Sequence, residues 1–202
     1  MGKGRLEAFS DGVIAILITI MVLELKVPHG ADLDALRPLL PVFLTYALSF
    51  VNLGIYWNNH HHMLQVTERI NGRVMWANLH LLFWLSLIPF TTGWMGENHF
   101  AAVPTAIYGA VLLLAAISYT ILQNTILRYQ GRDSTLGIAV GHDWKGRLCL
   151  GLYAMAIPLA FVHQAISDAL YVLVAVIWLL PDPRIETTVD ARSGHVTSHG
   201  HR

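Results

Sequence analysis

An acidic side chain enters the first apolar segment of this chain. The segment begins RLEAFSD from Arg5 and continues as an apolar run, with Asp11 one helical turn after Glu7. An ionisable group that faces lipid is costly, so inside a membrane it usually marks a functional site with a nearby partner. Arg5, Ser10 and polar groups of neighbouring helices are the candidate partners. The alternative is an N-terminal helix cap, in which Ser10 or Asp11 satisfies free backbone N–H groups.

Three adjacent histidines, His60, His61 and His62, form a second group with chemical potential. Consecutive helix positions point about 100° apart, so these three side chains cannot all bind one ion on a regular helix. We therefore predict no metal site and no other cofactor. We expect instead that one of these histidines, or His80, reaches the region of residues 10–11 and joins a polar network there.

A third feature is the spacing of apolar residues in the first segment. Ile16, Ile20 and Leu23 follow an i, i+4, i+7 pattern and share one helix face, with Thr19 beside them. Such a stripe packs against lipid or a neighbouring helix in most membrane proteins. It can also gate a pore by dewetting, with hydroxyl oxygens easing a partly dehydrated ion through, and an acid such as Glu24 at the mouth attracts cations.

The composition is that of a membrane protein. Of 202 residues, 54% are hydrophobic and 13% are charged, whereas a soluble domain carries about 25% charged residues. The formal net charge is zero, which gives no basic surface for nucleic acid, and a single cysteine excludes an intrachain disulfide. Acids flank the first apolar run and no small-residue cleavage site follows it, so we expect a retained helix.

The apolar runs predict an all-α, polytopic protein with six membrane spans. They cover residues 6–27, 38–62, 74–95, 101–129, 147–162 and 165–180, with a short loop after the first. Pro89 should kink the third span, in which Asn78 and Ser86 are expected to bond neighbouring helices. The last two spans are near the lower length limit, so a tilted or re-entrant pair is the alternative.

The basic residues predict the orientation of the spans. With six crossings, only Lys26 and Arg37 lie on the outer side. The other eleven of the thirteen basic residues share one side: Lys3, Arg5, Arg69, Arg73, Arg128, Arg132, Lys145, Arg147, Arg184, Arg192 and Arg202. We therefore expect both termini in the cytoplasm. Residues 1–181 should form one six-helix transmembrane domain, and the polar residues 182–202 should form a mobile cytoplasmic tail.

The start of the first helix resembles a known signature. Arg5, Phe9, Ser10 and Asp11 spell R-x-x-x-F-S-D, which is similar to the signature of the transmembrane-protein-175 family, the lysosomal potassium channels and their bacterial relatives. The resemblance covers about residues 4–181. It implies a potassium-preferring cation channel rather than an enzyme, a homotetramer, and a central pore lined by the first helix of each subunit.

The resemblance also implies roles for the residues of the first helix. The family's narrowest ring, five residues after the signature aspartate, corresponds to Ile16. Further apolar rings correspond to Ile20 and Leu23, a hydroxyl layer corresponds to Thr19, and no T-V-G-Y-G filter is present. Potassium and other monovalent cations would be the permeant species, with membrane lipid and further copies of the chain as partners in the bacterial inner membrane.

Two other functions are consistent with parts of the sequence. A secondary transporter or proton pathway could use Asp11 and the histidines, but no paired Gly/Pro-interrupted helices occur in two matching halves. An intramembrane metal enzyme would need H-E-x-x-H or a comparable ligand spacing, which is missing.

Overall fold

The structure is a computed structural model that describes residues 2–131 and 144–180. The helices in chain order are α1 (Lys3–Leu23), a 3-10 helix (Leu33–Leu39), α2 (Leu40–Gln65), α3 (Gly72–Ser86), α4 (Ile88–Glu97), α5 (Ala102–Gln130), α6 (Trp144–Leu159) and α7 (Gln164–Leu179). No strand occurs in these two ranges. The predicted all-α class is confirmed, and the predicted tail, 182–202, lies outside the described residues.

The helices follow the six predicted spans in order, with two differences. The predicted third span is the bent pair α3–α4, interrupted at Leu87, and Pro89 lies in the first turn of α4. Proline lacks a backbone N–H and is tolerated only in a helix's first turn, so the helix restarts around it. The predicted loop after the first span contains the 3-10 helix, and the Asp32 carboxylate caps this helix by accepting from Ala35 N at 3.0 Å.

Within residues 2–131 and 144–180, four helical segments are long and apolar enough to cross a membrane: Lys3–Leu23, Leu33–Gln65, Gly72–Glu97 and Ala102–Gln130. α6 and α7 have 16 residues each. Sixteen residues at 1.5 Å per residue rise about 24 Å, less than the roughly 30 Å of hydrocarbon. The prediction of two short final helices is thus confirmed. They pack on one another and on α5.

α5 is the central helix, because it packs against α3, α4, α6 and α7. Tyr108 is fully buried on it, and its ring lies 5.5 Å from that of Tyr171, edge to face. Gly109 makes this contact possible, since a Cβ at that position would lie 2.0 Å from the Tyr171 hydroxyl. The α1 helix lies at one side of this core, in contact with α2, α3 and α4.

Candidate functional site on the first helix

The α1 helix has one buried face and one bare face. The residues buried against the rest of the chain are Leu6, Ser10, Ile14, Leu17 and Met21. On the opposite side, Ile16 is 56% exposed, Ile20 42% and Leu23 78%. These three residues therefore share one face, as their spacing predicts, and all three are exposed in the single chain.

Thr19 lies on the same bare face. Its hydroxyl is within hydrogen-bond distance of the Ala15 carbonyl at 3.1 Å and the Ile16 carbonyl at 2.9 Å. A hydroxyl with its proton turned to the backbone keeps its oxygen lone pairs outward. Thr19 can thus offer an oxygen to water or to a cation between the levels of Ile16 and Ile20.

A buried polar relay joins the other face of α1 to two neighbouring helices. His60 of α2 and Asn78 of α3 are fully buried, as is Ser10. His60 Nε2 lies 2.7 Å from Asn78 Oδ1, Asn78 Nδ2 donates to Ser10 Oγ at 2.9 Å, and Ser10 Oγ donates to the Leu6 carbonyl at 2.9 Å. The expectation that a histidine reaches this region holds for His60, with Asn78 between them.

The relay has one consistent direction. Because Asn78 presents its carbonyl oxygen to His60, the imidazole donates from Nε2, and in a neutral ring Nδ1 is then the unprotonated nitrogen. Nδ1 of His60 is buried and has no hydrogen-bond partner among the described residues. Three donors therefore point in sequence towards a backbone carbonyl of α1, and this fixes the helix's rotation about its own axis.

Asp11 has a different partner from Ser10. The indole Nε1 of Trp57 donates to Asp11 Oδ1 at 3.1 Å. The Trp57 ring stacks on His61 at 6.0 Å, and His61 Nδ1 lies 3.4 Å from Glu7 Oε1. The two acids of α1 thus both face α2: Asp11 binds Trp57, whose role the sequence did not indicate, and Glu7 lies beside His61.

The remaining signature residues lie apart from the relay. Arg5 and Phe9 are exposed, eleven and seven residues before Ile16, which places each within about 20° of it around the helix. Arg5 has no side-chain hydrogen bond or ion pair within the described part of the chain. The expectation that Arg5 joins the polar network is therefore not met inside one subunit, because its position on the helix turns it to the bare face.

The other predicted polar residues make local contacts. His80 accepts from Trp84 Nε1 at 3.1 Å on the surface of α3, and His62 is exposed at the end of α2. Ser86 donates to the Phe83 carbonyl of its own helix at 2.7 Å, so the prediction that it bonds a neighbouring helix is wrong, whereas that for Asn78 is confirmed. Over the described ranges, no group of three or more His, Cys, Asp or Glu residues could hold a metal ion.

The C-terminal end of α1 carries a charged cluster. Lys26 Nζ donates to Glu97 Oε1 of α4 at 2.5 Å. The hydrogen bond and the charge of Glu97 raise the pKa of the Lys26 ammonium. Glu24, predicted to lie at the pore mouth, is exposed, and its carboxylate lies against Gly93, 3.5 Å from the place of a Cβ there.

A second buried polar cluster lies deeper in the bundle. Ser49 Oγ is 2.6 Å from Thr92 Oγ1 and 2.9 Å from the Tyr108 hydroxyl, which also accepts from Asn52 at 3.4 Å. These residues join α2, α4 and α5. Sequence reasoning missed them, although Ser49 and Asn52 are polar residues three apart in an otherwise apolar segment, a spacing that places both on one helix face.

An internal cavity of about 40 Å³ lies beside this cluster, away from α1. Its described lining comes from α2, α5, α6 and α7 and includes Asn52, Tyr56 and Tyr153. A water molecule needs about 10–15 Å³ measured in this way, so the cavity has room for roughly three waters. It is far too small for a hydrated-ion pathway through one subunit.

Comparison with known proteins adds three findings. Residues 5–89 match the family described as endosomal/lysosomal potassium channel TMEM175. A potassium channel of Chryseobacterium sp. (strain P1-3) is 53% identical over 94% of this chain and 98% of its own length. A potassium channel of Streptomyces collinus is 31% identical over 86% of this chain and 89% of its own length.

A solved structure is also similar. It is the crystal structure of a lysosomal potassium-selective channel TMEM175 homolog from Chamaesiphon minutus, which superposes with a TM-score of 0.77. The sequences are 30% identical, and the match covers 88% of this chain and 96% of that one.

Proposed function

Because this chain belongs to the TMEM175 family, a family of ion channels rather than enzymes, we propose that it is the subunit of a potassium-preferring cation channel in which four copies surround a central pore. The permeant species are potassium and other monovalent cations, and no cofactor takes part. The observation that carries the proposal is the bare face of α1, which presents three apolar side chains and the Thr19 hydroxyl. The buried polar relay on the other side of α1 fixes the rotation of the helix and therefore the direction in which this face points.

The bare face supports a pathway between subunits. The cavity between α2, α5, α6 and α7 is too small for a hydrated ion, and a path on a symmetry axis is the simplest way for a small subunit to make one. On that axis Ile16, Ile20 and Leu23 form apolar rings, of which Ile16 is the narrowest. Thr19 supplies the hydroxyl layer, and the rings control passage by dewetting.

The proposed orientation places both termini in the cytoplasm of a bacterial cell, with the channel crossing the inner membrane. Contacts between the ends of helices on the predicted cytoplasmic side support this orientation. Lys3 Nζ donates to the Gln65 carbonyl at 2.8 Å, which puts the start of α1 beside the end of α2. The Gln130 amide adjoins the Arg69 backbone. Basic residues from the predicted inner side are therefore neighbours in the fold.

Potassium and sodium currents in planar bilayers test this proposal. Ile16→Asn replaces an apolar ring with groups that hydrogen-bond water and ions, so conductance should rise and the preference for potassium should fall. Ile18→Asn is the matched control, because Ile18 points about 200° away from Ile16 and packs against the core.

Two results would contradict the proposal. Wild-type conductance and selectivity in Ile16→Asn, together with altered values in Ile18→Asn, would mean that the bare face does not line the pore. Coupled fluxes without ohmic single-channel currents would favour a secondary transporter.

A further inference from the structure

The internal cavity of about 40 Å³ lies where α2 faces α5 and α6. The helices with which α2 packs most closely are α1, α4 and α7. Towards α5 and α6, large aromatic side chains line the cavity: Tyr56 from α2, Tyr119 from α5 and Tyr153 from α6. A molecule inside the cavity would therefore contact α2 on one side and α6 on the other.

Several polar groups of the lining are already paired with the protein. Asn59 Nδ2 donates to the Ile55 carbonyl at 2.9 Å, and the Thr120 hydroxyl donates to the Ala116 carbonyl at 3.0 Å. The Tyr119 hydroxyl donates to the Asn59 carbonyl at 3.2 Å. These groups are satisfied without a bound molecule.

Three other polar groups of the lining lack such a partner. Tyr153 and Asn52 are each 3% exposed, and Tyr56 is half-buried. Within the described chain, no hydrogen bond reaches the hydroxyl of Tyr56 or of Tyr153, and the Asn52 side chain bonds only through Nδ2, to Tyr108 at 3.4 Å. Buried polar groups almost always bond to protein or ordered water, because an unpaired one destabilises the fold. The cavity that these residues line is where a partner can lie.

The rest of the lining indicates a small and neutral ligand. Ile55, Ala116 and Trp178 give the cavity apolar walls, and its described lining contains no Asp, Glu, Lys or Arg. An ion would lose its hydration here without an opposite charge to replace it. The volume admits roughly three to four non-hydrogen atoms, if each is counted as one water. Apolar walls with a few polar groups are typical of small-molecule sites.

We propose that this cavity binds a small neutral molecule that carries a hydroxyl group: water in aqueous buffer, and a short alcohol such as ethanol when one is present. The hydroxyl of the bound molecule bonds with Asn52, Tyr56 and Tyr153, and the alkyl group of an alcohol lies against the apolar walls. No residue of α1 belongs to the described lining, so the inference does not depend on the proposed pore.

Two variants distinguish an occupied cavity from an empty one, because the two states predict opposite shifts of the thermal unfolding midpoint. Ala116→Val adds two methyl groups to the wall, and Tyr153→Phe removes a hydroxyl. In an empty cavity both changes raise the midpoint, since one fills a void and the other removes an unpaired polar group. In a water-filled cavity each lowers it by roughly 2–4 °C, because the bound water is expelled or loses a partner.

The double variant separates loss of water from simple overpacking. Once Ala116→Val has expelled the water, the Tyr153 hydroxyl has no partner, so Tyr153→Phe should then raise the midpoint instead of lowering it. Ala154→Val is the matched control, because Ala154 follows Tyr153 on α6 but is exposed and lies outside the described lining. Its midpoint should stay near the wild-type value. A rise in both single variants, or no reversal in the double variant, would overturn the inference.

Nuclear Overhauser effects test the binding of alcohol. Perdeuterated protein with protonated tyrosine rings, in deuterated detergent, should show a cross-peak between the ethanol methyl group and Tyr153. This cross-peak should be missing in Ala116→Val and with the bulkier tert-butanol, whereas Tyr129, which is 47% exposed, should contact both alcohols. No ethanol cross-peak at Tyr153 in the wild type would refute alcohol binding. A cross-peak that persists in Ala116→Val would show contact outside the cavity and refute it as well.

Discussion

The polar relay predicts a large loss of stability when Asn78 becomes leucine. Leucine has the same branched shape as asparagine and is larger, so the change removes hydrogen bonds without leaving a cavity. Two bonds are lost, the 2.7 Å contact with His60 and the 2.9 Å bond to Ser10. Because Nδ1 of His60 has no partner within the described chain, its imidazole would then be buried with both ring nitrogens unpaired.

The magnitude follows from the two groups left behind. A buried polar group that loses its partner costs roughly 1–3 kcal/mol. Ser10 still donates to the Leu6 carbonyl, so the main penalty belongs to His60. Hydrogen bonds between membrane helices average about 0.6 kcal/mol and reach about 1.7. With two hydrogen bonds lost and one buried group left unpaired, we expect Asn78→Leu to lower the free energy of unfolding by about 2 kcal/mol.

The assay is reversible unfolding in mixed detergent micelles, followed by circular dichroism. Ser10→Ala should cost about 1 kcal/mol by leaving the Asn78 amide unpaired. The double variant should cost less than the sum of the two, since it removes both ends of one bond. Ser86→Ala is the control on the same helix, because the Ser86 hydroxyl is exposed and bonds only its own backbone. The relay would be refuted if the free energy of unfolding of Asn78→Leu lay within about 0.5 kcal/mol of the wild-type value, which is about the error of additivity. Strict additivity of the two single changes in the double variant would refute it as well.

Two further predictions concern packing and orientation. Gly109→Ala should destabilise the bundle by about 1–3 kcal/mol, because the new Cβ would meet the buried Tyr171 hydroxyl. Gly151→Ala is the control: a Cβ there has nothing within 4 Å, so this change should be neutral or stabilising. Thermal unfolding of both variants in one detergent distinguishes these outcomes. Reporter fusions at the N-terminus and after Asp182 should both report the cytoplasm, a fusion in the turn between α4 and α5 should report the outside, and opposite locations for the two ends would exclude six crossings.

The shared face of three α1 residues could be predicted because helical periodicity is a local property. The spacing of Ile16, Ile20 and Leu23 fixes which residues share a face, whatever surrounds them. Pro89 likewise indicated the break between α3 and α4, since a proline restricts the backbone of its own segment. The polar character of Asn78 in an apolar segment was sufficient to predict a bond to a neighbouring helix.

The partners across helices could not be predicted with the same certainty. Which of four histidines reaches Ser10 depends on the rotation and depth of α2 relative to α1, and neither is written in local spacing. Asp11 binds Trp57, a residue whose usual place at a membrane interface gave no reason to choose it. Arg5 was expected among the buried groups because of its neighbours in sequence, yet its angle on the helix places it beside Phe9 on the bare face.

The arrangement of α1 also gives a physical reason for a polar signature ahead of the bare apolar face that we propose lines the pore. Lipid is as apolar as leucine, so burying an apolar stripe gives little preference for one helix rotation over another inside a membrane. Directional hydrogen bonds do give such a preference, and Ser10 and Asp11 supply them at one end of α1. At the other end, Glu24 and Lys26 both contact α4. With both ends held by neighbouring helices, the rotation of the intervening turns is set, and with it the direction in which Ile16 and Thr19 point. A change in either anchor should therefore alter conduction even when every residue on the bare face is unchanged.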